Sequence, residues 1–425
     1  MLEKIKKFYS NNKIWISLTR YIFISIVLSI LAILIDTRYI PVLSKIPTIF
    51  LTSVELAKTI LSTLSGALLT ITTFTFSTIM VVLTMYSSDF SPRVVNNFLT
   101  DKTSIKVLGI FVGGFFYSLI TLFFMRNTFS EHLVVSATIG VIYAAVSIIY
   151  FVIFVYKVSS SIQATKLIKR VYDESNKIIE KSLQYKKKQV SLNKHKTEIY
   201  NYNYKIKSTT DGYLQIMNLD TILNTLKDAD AKLIIHPHIG DFVGKNQIIA
   251  DIHYNDDFLE DSIEKEVLEQ LTLGDERLSF NDYRFSLQKI VDIALRALSP
   301  GINDPNTAIH CINILGVLVG KLSSIEDSYT IIEEEDFKGI IVYEDFKFSH
   351  ELYLTFYKIV NYGKNDISVI VAIFEALNRI GSIAKEKNLE TLKEFSDYVY
   401  DTSIDNFSHS FDRKLIKKYR YSIEI

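Results

Sequence analysis

The stretch ILSTLSGALLTITTFTFSTIMVVLTM, residues 60–85, decides the fold: it carries no charged side chain and is long enough to cross a bilayer as a helix. A spanning helix needs about 20 apolar residues. Three more stretches meet that measure, at about 15–35, 105–125 and 133–156. Lysines precede the first, as in a signal peptide, but it is too long for such an apolar region and lacks a small-residue cleavage site. The expectation is a retained anchor. Hydrophobic residues make up 48% of the 425 residues, and 47 basic side chains balance 47 acidic ones. A neutral chain lacks the basic excess that nucleic-acid binding requires, so nucleic acid is excluded as a partner. The single Cys311 cannot form an intramolecular disulfide and suits a reducing compartment.

Within residues 60–85 and the turn before them, polarity is one-sided. At 100° per residue, Thr59, Thr63, Gly66, Thr70, Thr73, Ser77 and Thr84 fall within an arc of about 80°. Leu61, Leu64, Leu68, Ile71, Phe76 and Ile79 lie opposite, interrupted by Ser65, Thr72 and Thr75. Two readings follow. Small and hydroxylated side chains let helices pack closely. They would also line a hydrated pathway, inside one chain or at an oligomer axis. Gly109 with Gly113, and Ser136 with Gly140 and Ala144, are further close-packing steps. No Asp, Glu, Lys or His sits near the middle of a span, which favours a passive conduit or an anchor over an ion-coupled pump.

Orientation follows from Lys and Arg in the connections. Lys4, Lys6, Lys7 and Lys13 lie before the first span, Arg93, Lys102 and Lys106 after the second, and Lys157, Lys166, Lys169 and Arg170 after the fourth. The link with Arg126, Glu131 and His132 is poor in positive charge, whereas the first link, with Arg38, Lys45 and Lys58, runs against the count. Both termini are therefore expected in the cytoplasm, with the chain multi-pass in a bacterial inner membrane.

The expected architecture is an α-helical membrane protein in four parts: a four-helix transmembrane bundle at 1–156, a basic stalk or linker helix at 157–204, a small β-rich module at 205–256 and an α-rich cytoplasmic domain at 257–425. The stalk carries Ile162, Leu167, Ile168, Val171, Ile178, Ile179 and Leu183 as an apolar stripe, and the run Lys186, Lys187, Lys188. It reads as a solvated helix, with contact of its lysines to anionic headgroups as the alternative. The β-rich module turns at Gly240-Asp241 and is similar to the barrel-sandwich modules of biotinyl and lipoyl domains, without their lysine motif. No cofactor is expected. His236, His238 and Asp241, with His253 nearby, lack a third soft ligand and read as a surface turn rather than a metal site.

In the α-rich domain, Leu287, Ile290, Val291, Ala294 and Leu298 define one buried helix face, and Asp292 and Arg296 an i,i+4 pair on the other. Ser299-Pro300-Gly301-Ile302-Asn303 makes a turn. Asp304 then caps the next helix, with Pro305 at its first position. The run Ile293 to Leu298 leading into this turn resembles a bacterial family of predicted membrane proteins, domain of unknown function 2254 (DUF2254). Phe90-Ser91-Pro92-Arg93, with Asn97-Phe98-Leu99 and Asp101, is similar to the family's second motif. Gly212-Tyr213-Leu214-Gln215 and Gly240-Asp241-Phe242-Val243 are similar to its third and fourth. The resemblance implies a four-span membrane half and a cytoplasmic tail. This chain departs from it with Asn306 after the second proline, and with Asn281-Asp282-Tyr283 in place of a Gln-Asp pair.

Two function classes remain open. One is an oligomeric, channel-like conduit lined by Thr63, Gly66, Thr70, Thr73 and Ser77 and regulated by the cytoplasmic domain. The other is a membrane-anchored sensor or scaffold that binds a ligand or protein. The motif residues Ser91, Pro92, Arg93, Arg296, Ser299, Pro300, Gly301, Asn303, Asp304 and Pro305 are candidates for coupling. Arg93 is free to be read as a partner of the Asp304 turn, as a lipid-phosphate contact or as a helix cap. The Ser299–Pro305 turn reads as a structural hinge, or else as a ligand- or anion-binding site whose helix N-terminus Asp304 already occupies. No catalytic fingerprint is present, so an enzyme is not expected and no catalytic or metal-binding residue is named. The expected partners are the lipid bilayer, further copies of the chain, and a small ligand or ion.

Overall fold

The computed structural model describes residues 13–42, 45–93, 102–125, 133–161, 163–187, 200–255, 260–279, 281–326, 328–334 and 336–420. Lys4, Lys6, Lys7, Asn97 to Leu99, Asp101, Arg126, Glu131, His132, Ile162 and Lys188 lie outside them. The chain forms two compact units, Met1–Lys166 and Leu167–Ile425.

The first unit is a helical bundle: α1 (Lys13–Asp36), α2 (Val54–Met85), α3 (Lys102–Phe124) and α4 (Ser136–Ser161). A two-stranded ribbon, β1 (Thr52–Ser53) with β2 (Leu133–Val134), joins the start of α2 to the start of α4. All four helices are long and apolar enough to span a membrane. Helix α3 sits at the centre, packed on the other three. In its most apolar window 44% of residues are buried, against 17% in each of the others. The small residues explain why α3 is central. Gly109 and Gly113 leave room for Tyr21 and Ser25 of α1, and Gly140 of α4 receives Leu61 and Leu64 of α2. Tyr143 is held in the resulting seam. Its hydroxyl donates to the Ile110 carbonyl at 2.8 Å and lies 2.9 Å from Ser25 Oγ, while its ring stacks on Tyr117. In hydrocarbon such polar groups must be satisfied by the protein itself.

Helix α2 is the exception in length. Its 32 residues extend about 48 Å at 1.5 Å per residue, more than the roughly 30 Å of hydrocarbon. It either tilts or runs past the apolar layer. It starts at an N-cap, Ser53 Oγ accepting from Leu56 N, and ends in a widened turn over Tyr86–Phe90, where Ser91 N donates to Tyr86 O at 3.1 Å.

The second unit begins within α5 (Ala164–Lys187). This helix falls in the expected stalk but is not solvated throughout, because its apolar stripe Leu167, Ile168, Val171, Ile178 and Ile179 is buried. It is followed by β3 (Tyr202–Lys207), β4 (Gly212–Met217), α6 (Leu219–Thr225), β5 (Ala231–Ile235), β6 (Phe242–Val243), β7 (Ile248–Tyr254), α7 (Glu260–Gln270) and β8 (Leu271–Gly274). Then come α8 (Tyr283–Ala297), α9 (Pro305–Ser323), β9 (Ser328–Ile332) and β10 (Ile340–Phe346). The C-terminal helices are α10 (Phe348–Gly363), α11 (Ile367–Gly381), α12 (Glu386–Ser403) and α13 (Ser410–Arg420).

The strands expected to form a barrel-sandwich do not close into a barrel among the described residues. The strands make two open sheets instead, one in the order β3-β7-β5-β10-β9 and one in the order β6-β4-β8. The physical reason is non-local. Strand β10, from beyond α9, pairs parallel to β5, with Ile341 beside Leu233 and Val342 beside Ile234. It occupies the second edge of β5 and extends the sheet beyond the stretch 205–256. Ile206, Leu233, Ile235, Ile252, Ile341 and their neighbours form the core below. In the helical part α9 packs on α8 and α11, α10 on α8 and α12, and α13 on α11.

Candidate functional site

In the membrane unit the hydroxyl stripe faces outward. Thr63, Gly66, Thr70, Thr73 and Ser77 are all exposed on the single chain, and nothing approaches Gly66. Helix α2 packs on the bundle through the opposite face, where Ala57, Leu61, Leu68 and Val82 are buried. Close packing inside this bundle therefore does not use the stripe. Thr63, Thr70 and Thr73 donate their hydroxyls to carbonyls one turn back, at 2.9, 2.9 and 3.0 Å. Their donors are spent on the backbone, so the face presents mainly oxygen lone pairs. Below it the second motif closes the helix: Ser91 is buried, its Oγ accepts from Arg93 N at 3.2 Å, and Pro92 and Arg93 are exposed. Widened helical turns of this kind occur often at functional sites.

In the second unit three of the quoted segments meet. The β4 strand and the Gly240-Asp241 turn interlock through Gly240 N to Leu214 O at 2.8 Å and Leu214 N to Asp241 O at 2.9 Å. Gly240 adopts φ +93°, and a side chain there would strike the Asp282 carboxylate. Asp282 caps α8 by accepting from Phe285 N at 2.8 Å, and its other oxygen accepts from Arg277 at 2.7 and 2.9 Å. Burial pushes the Asp282 carboxyl above its usual range, with Arg277 opposing that shift. Burial would also raise Asp241, but hydrogen bonds from His238 hold its carboxyl below the usual range.

Beside this turn lies a buried ion pair. Glu351 of α10 is only 2% exposed, and Oε1 accepts from Arg284 Nε at 2.6 Å and Tyr283 OH at 3.0 Å. One helical turn further along α8, the buried Lys289 reaches Glu174 of α5 at 3.4 Å. Lys321 of α9 binds Glu180 and Asn176 of the same α5 at 2.6 Å each. Helix α5 is thus fastened to α8 and α9 by charge as well as by its apolar stripe.

The C-terminal end of α8 carries the long motif. Ser299 Oγ donates to Arg296 O at 2.7 Å, Asn303 N to Ser299 O at 2.9 Å and Asp304 N to Ala297 O at 2.8 Å. The left-handed residue is Asn303, φ +50°, rather than Gly301. Asn tolerates that region better than most side chains. Asp304 spends its carboxylate on Thr307, accepting from N at 3.1 Å and from Oγ1 at 2.6 Å. Pro300, Gly301, Asn303 and Arg296 are exposed and Pro305 half-buried. The turn is locally self-satisfied and displayed outward.

The sequence profile of a family described as "Predicted membrane protein (DUF2254)" matches residues 11–379. The chain belongs to the DUF2254 family. Uncharacterized proteins of Mycobacterium bovis and Mycobacterium tuberculosis are each 27% identical to it over 285 residues, 63% of this chain and 53% of theirs. The chain thus spans about half the length of the curated relatives it matches. No solved structure matches it.

Within this DUF2254 protein, the fold brings Gly212 to Gln215, Gly240, Asp241 and Asp282 to one end of α8 and leaves Ser299–Pro305 at the other. The two ends are about 22 Å apart at 1.5 Å per residue. His236 and His238 are not joined in one site: His236 Nε2 lies 3.0 Å from Asp251, and His238 Nδ1 3.3 Å from Asp241. Asp292 accepts from Gln288 at 2.8 Å. Sequence reasoning missed Arg284–Glu351, Lys289–Glu174 and Arg277–Asp282. A signal existed for Lys289, which falls in phase with Ser286 and Ile293 on a second buried face of α8.

Proposed function

We propose that this protein is a non-enzymatic, oligomeric conduit, with α2 of each copy turned towards a shared polar path and the second unit regulating it from the cytoplasmic side of a bacterial inner membrane. One observation carries the reading: a hydroxyl-rich face along the longest helix stays outside its own bundle, while Ala57, Leu61, Leu68 and Val82 on the other side are buried. Further copies of the chain would cover such a face and exclude lipid from it. Outward lone pairs suit water and cations better than anions. Replacing Thr70 and Thr73 together with leucine tests the reading. Flux of a monovalent cation through reconstituted vesicles is expected to fall at least tenfold, because each leucine narrows and dewets the path. Unchanged flux would refute it.

A membrane-anchored sensor or scaffold is the second reading, and the exposed turn at Ser299–Asn303 favours it. A protein of that kind retains its activity in the same double variant as long as the bundle packs.

A further inference from the structure

Helix α13, Ser410–Arg420, lies beyond the family match and has two chemically distinct sides. Its inward side is spent on the chain. Ile416 is buried, Arg420 binds Asp397 at 2.7 and 3.0 Å, and Arg413 donates to the Phe407 carbonyl at 2.6 Å. At 100° per residue, Phe411, Lys414, Leu415 and Lys418 share an outward arc of about 100°, with Lys417 about 60° beyond one edge and Asp412 about 60° beyond the other. Phe411 is 76% exposed and Leu415 41%. The three lysines are exposed as well. The one acid of the helix, Asp412, falls outside that arc. Two large apolar side chains flanked by lysines, on a face without a carboxylate, is the pattern of a helix that lies in a membrane interface.

We propose that α13 docks on an anionic bilayer surface, with Phe411 and Leu415 entering the boundary between headgroups and acyl chains and Lys414, Lys417 and Lys418 meeting lipid phosphates. Charge selects this occupant over a second copy of the same face, which would set Lys414 and Lys418 against another such pair. Two apolar side chains and three charges make a weak anchor in isolation. Here the chain is already held in the membrane by its spans, so docking is intramolecular and modest affinity suffices. The inference does not depend on conduction.

The test uses the full chain in nanodiscs of phosphatidylcholine, with or without phosphatidylglycerol. Trp15→Phe removes the native indole and Phe411→Trp places one on the docking face. Headgroup-proximal spin-labelled lipid is expected to quench it when phosphatidylglycerol is present. Changing Lys414, Lys417 and Lys418 to Gln should weaken the docking equilibrium about fivefold per lysine. Leu415→Trp, as a second reporter on the same face, should behave alike. Quenching that is absent, or equal in both lipids, overturns the proposal. So does an indole shielded without quenching and only at high protein-to-lipid ratio, which would mean a protein partner.

Discussion

Replacing Glu351 with leucine is expected to destabilise the second unit by about 3–5 kcal/mol, the cost of leaving a buried charge without its partner. Arg284 cannot shed its proton, and its Nε donates to Glu351 Oε1 at 2.6 Å. The Tyr283 hydroxyl loses its acceptor at the same time. Pairing the change with Arg284→Met removes both charges, and the double variant should recover most of the loss because a well-packed apolar pair often matches a buried ion pair. Cys311 provides the readout. It is fully buried, and burial pushes its thiol well above the usual range, so it should react with alkylating reagents only after local or global opening. Labelling in a urea series should move to lower urea in Glu351→Leu and return towards the parent in the pair. Equal labelling of parent and single variant would show that the ion pair carries no stability.

Gly240→Ala is expected to cost about 3 kcal/mol, combining a strained φ with overpacking. The residue sits at φ +93°, and its missing side chain is what lets the turn lie against the Asp282 carboxylate. The added methyl must displace either Asp282 from its cap on α8 or the turn from β4. Both hydrogen bonds between the turn and Leu214 are then at risk. Loss should appear as early hydrogen exchange at Leu214 and Phe285, with the amides of α11 protected as before. If exchange at Leu214 and Phe285 is unchanged, the turn is not what joins the sheet to the helices.

The membrane half was legible because its signal is local. A run without charge such as residues 60–85 has few other fates, and the close approach of α1 to α3 follows from Gly109 and Gly113. The direction of the hydroxyl stripe was not legible. Period alone separates two faces of α2 but does not say which one meets Gly140 of α4. In the second unit, Asp304 capping α9 with Pro305 behind it could be read directly, since an N-cap is decided within four residues. The sheet could not. Strand β10 joins β5 across three helices, α7, α8 and α9, and no periodicity in 205–256 announces that edge. The ion pairs escaped for the same reason. Glu351 lies 67 residues from Arg284, and Glu174 lies 115 from Lys289. Helix α13 went unread because its apolar residues are few and face opposite ways, Ile416 inward and Phe411 outward.

The measurement that reaches the central claim most directly is the water accessibility of α2 in a lipid membrane. Single changes Thr63→Cys, Thr70→Cys, Thr73→Cys and Ser77→Cys are made with the buried Cys311 left in place, and their reaction with a membrane-impermeant methanethiosulfonate is timed. Ile148→Cys and Val152→Cys on the outward apolar face of α4 serve as lipid-facing references. The account predicts that the α2 positions react at least tenfold faster than the α4 pair, since thiolate forms only where water reaches. Equally slow reaction at all six positions would put the hydroxyl face in lipid or against dry protein, and the conduit would be excluded.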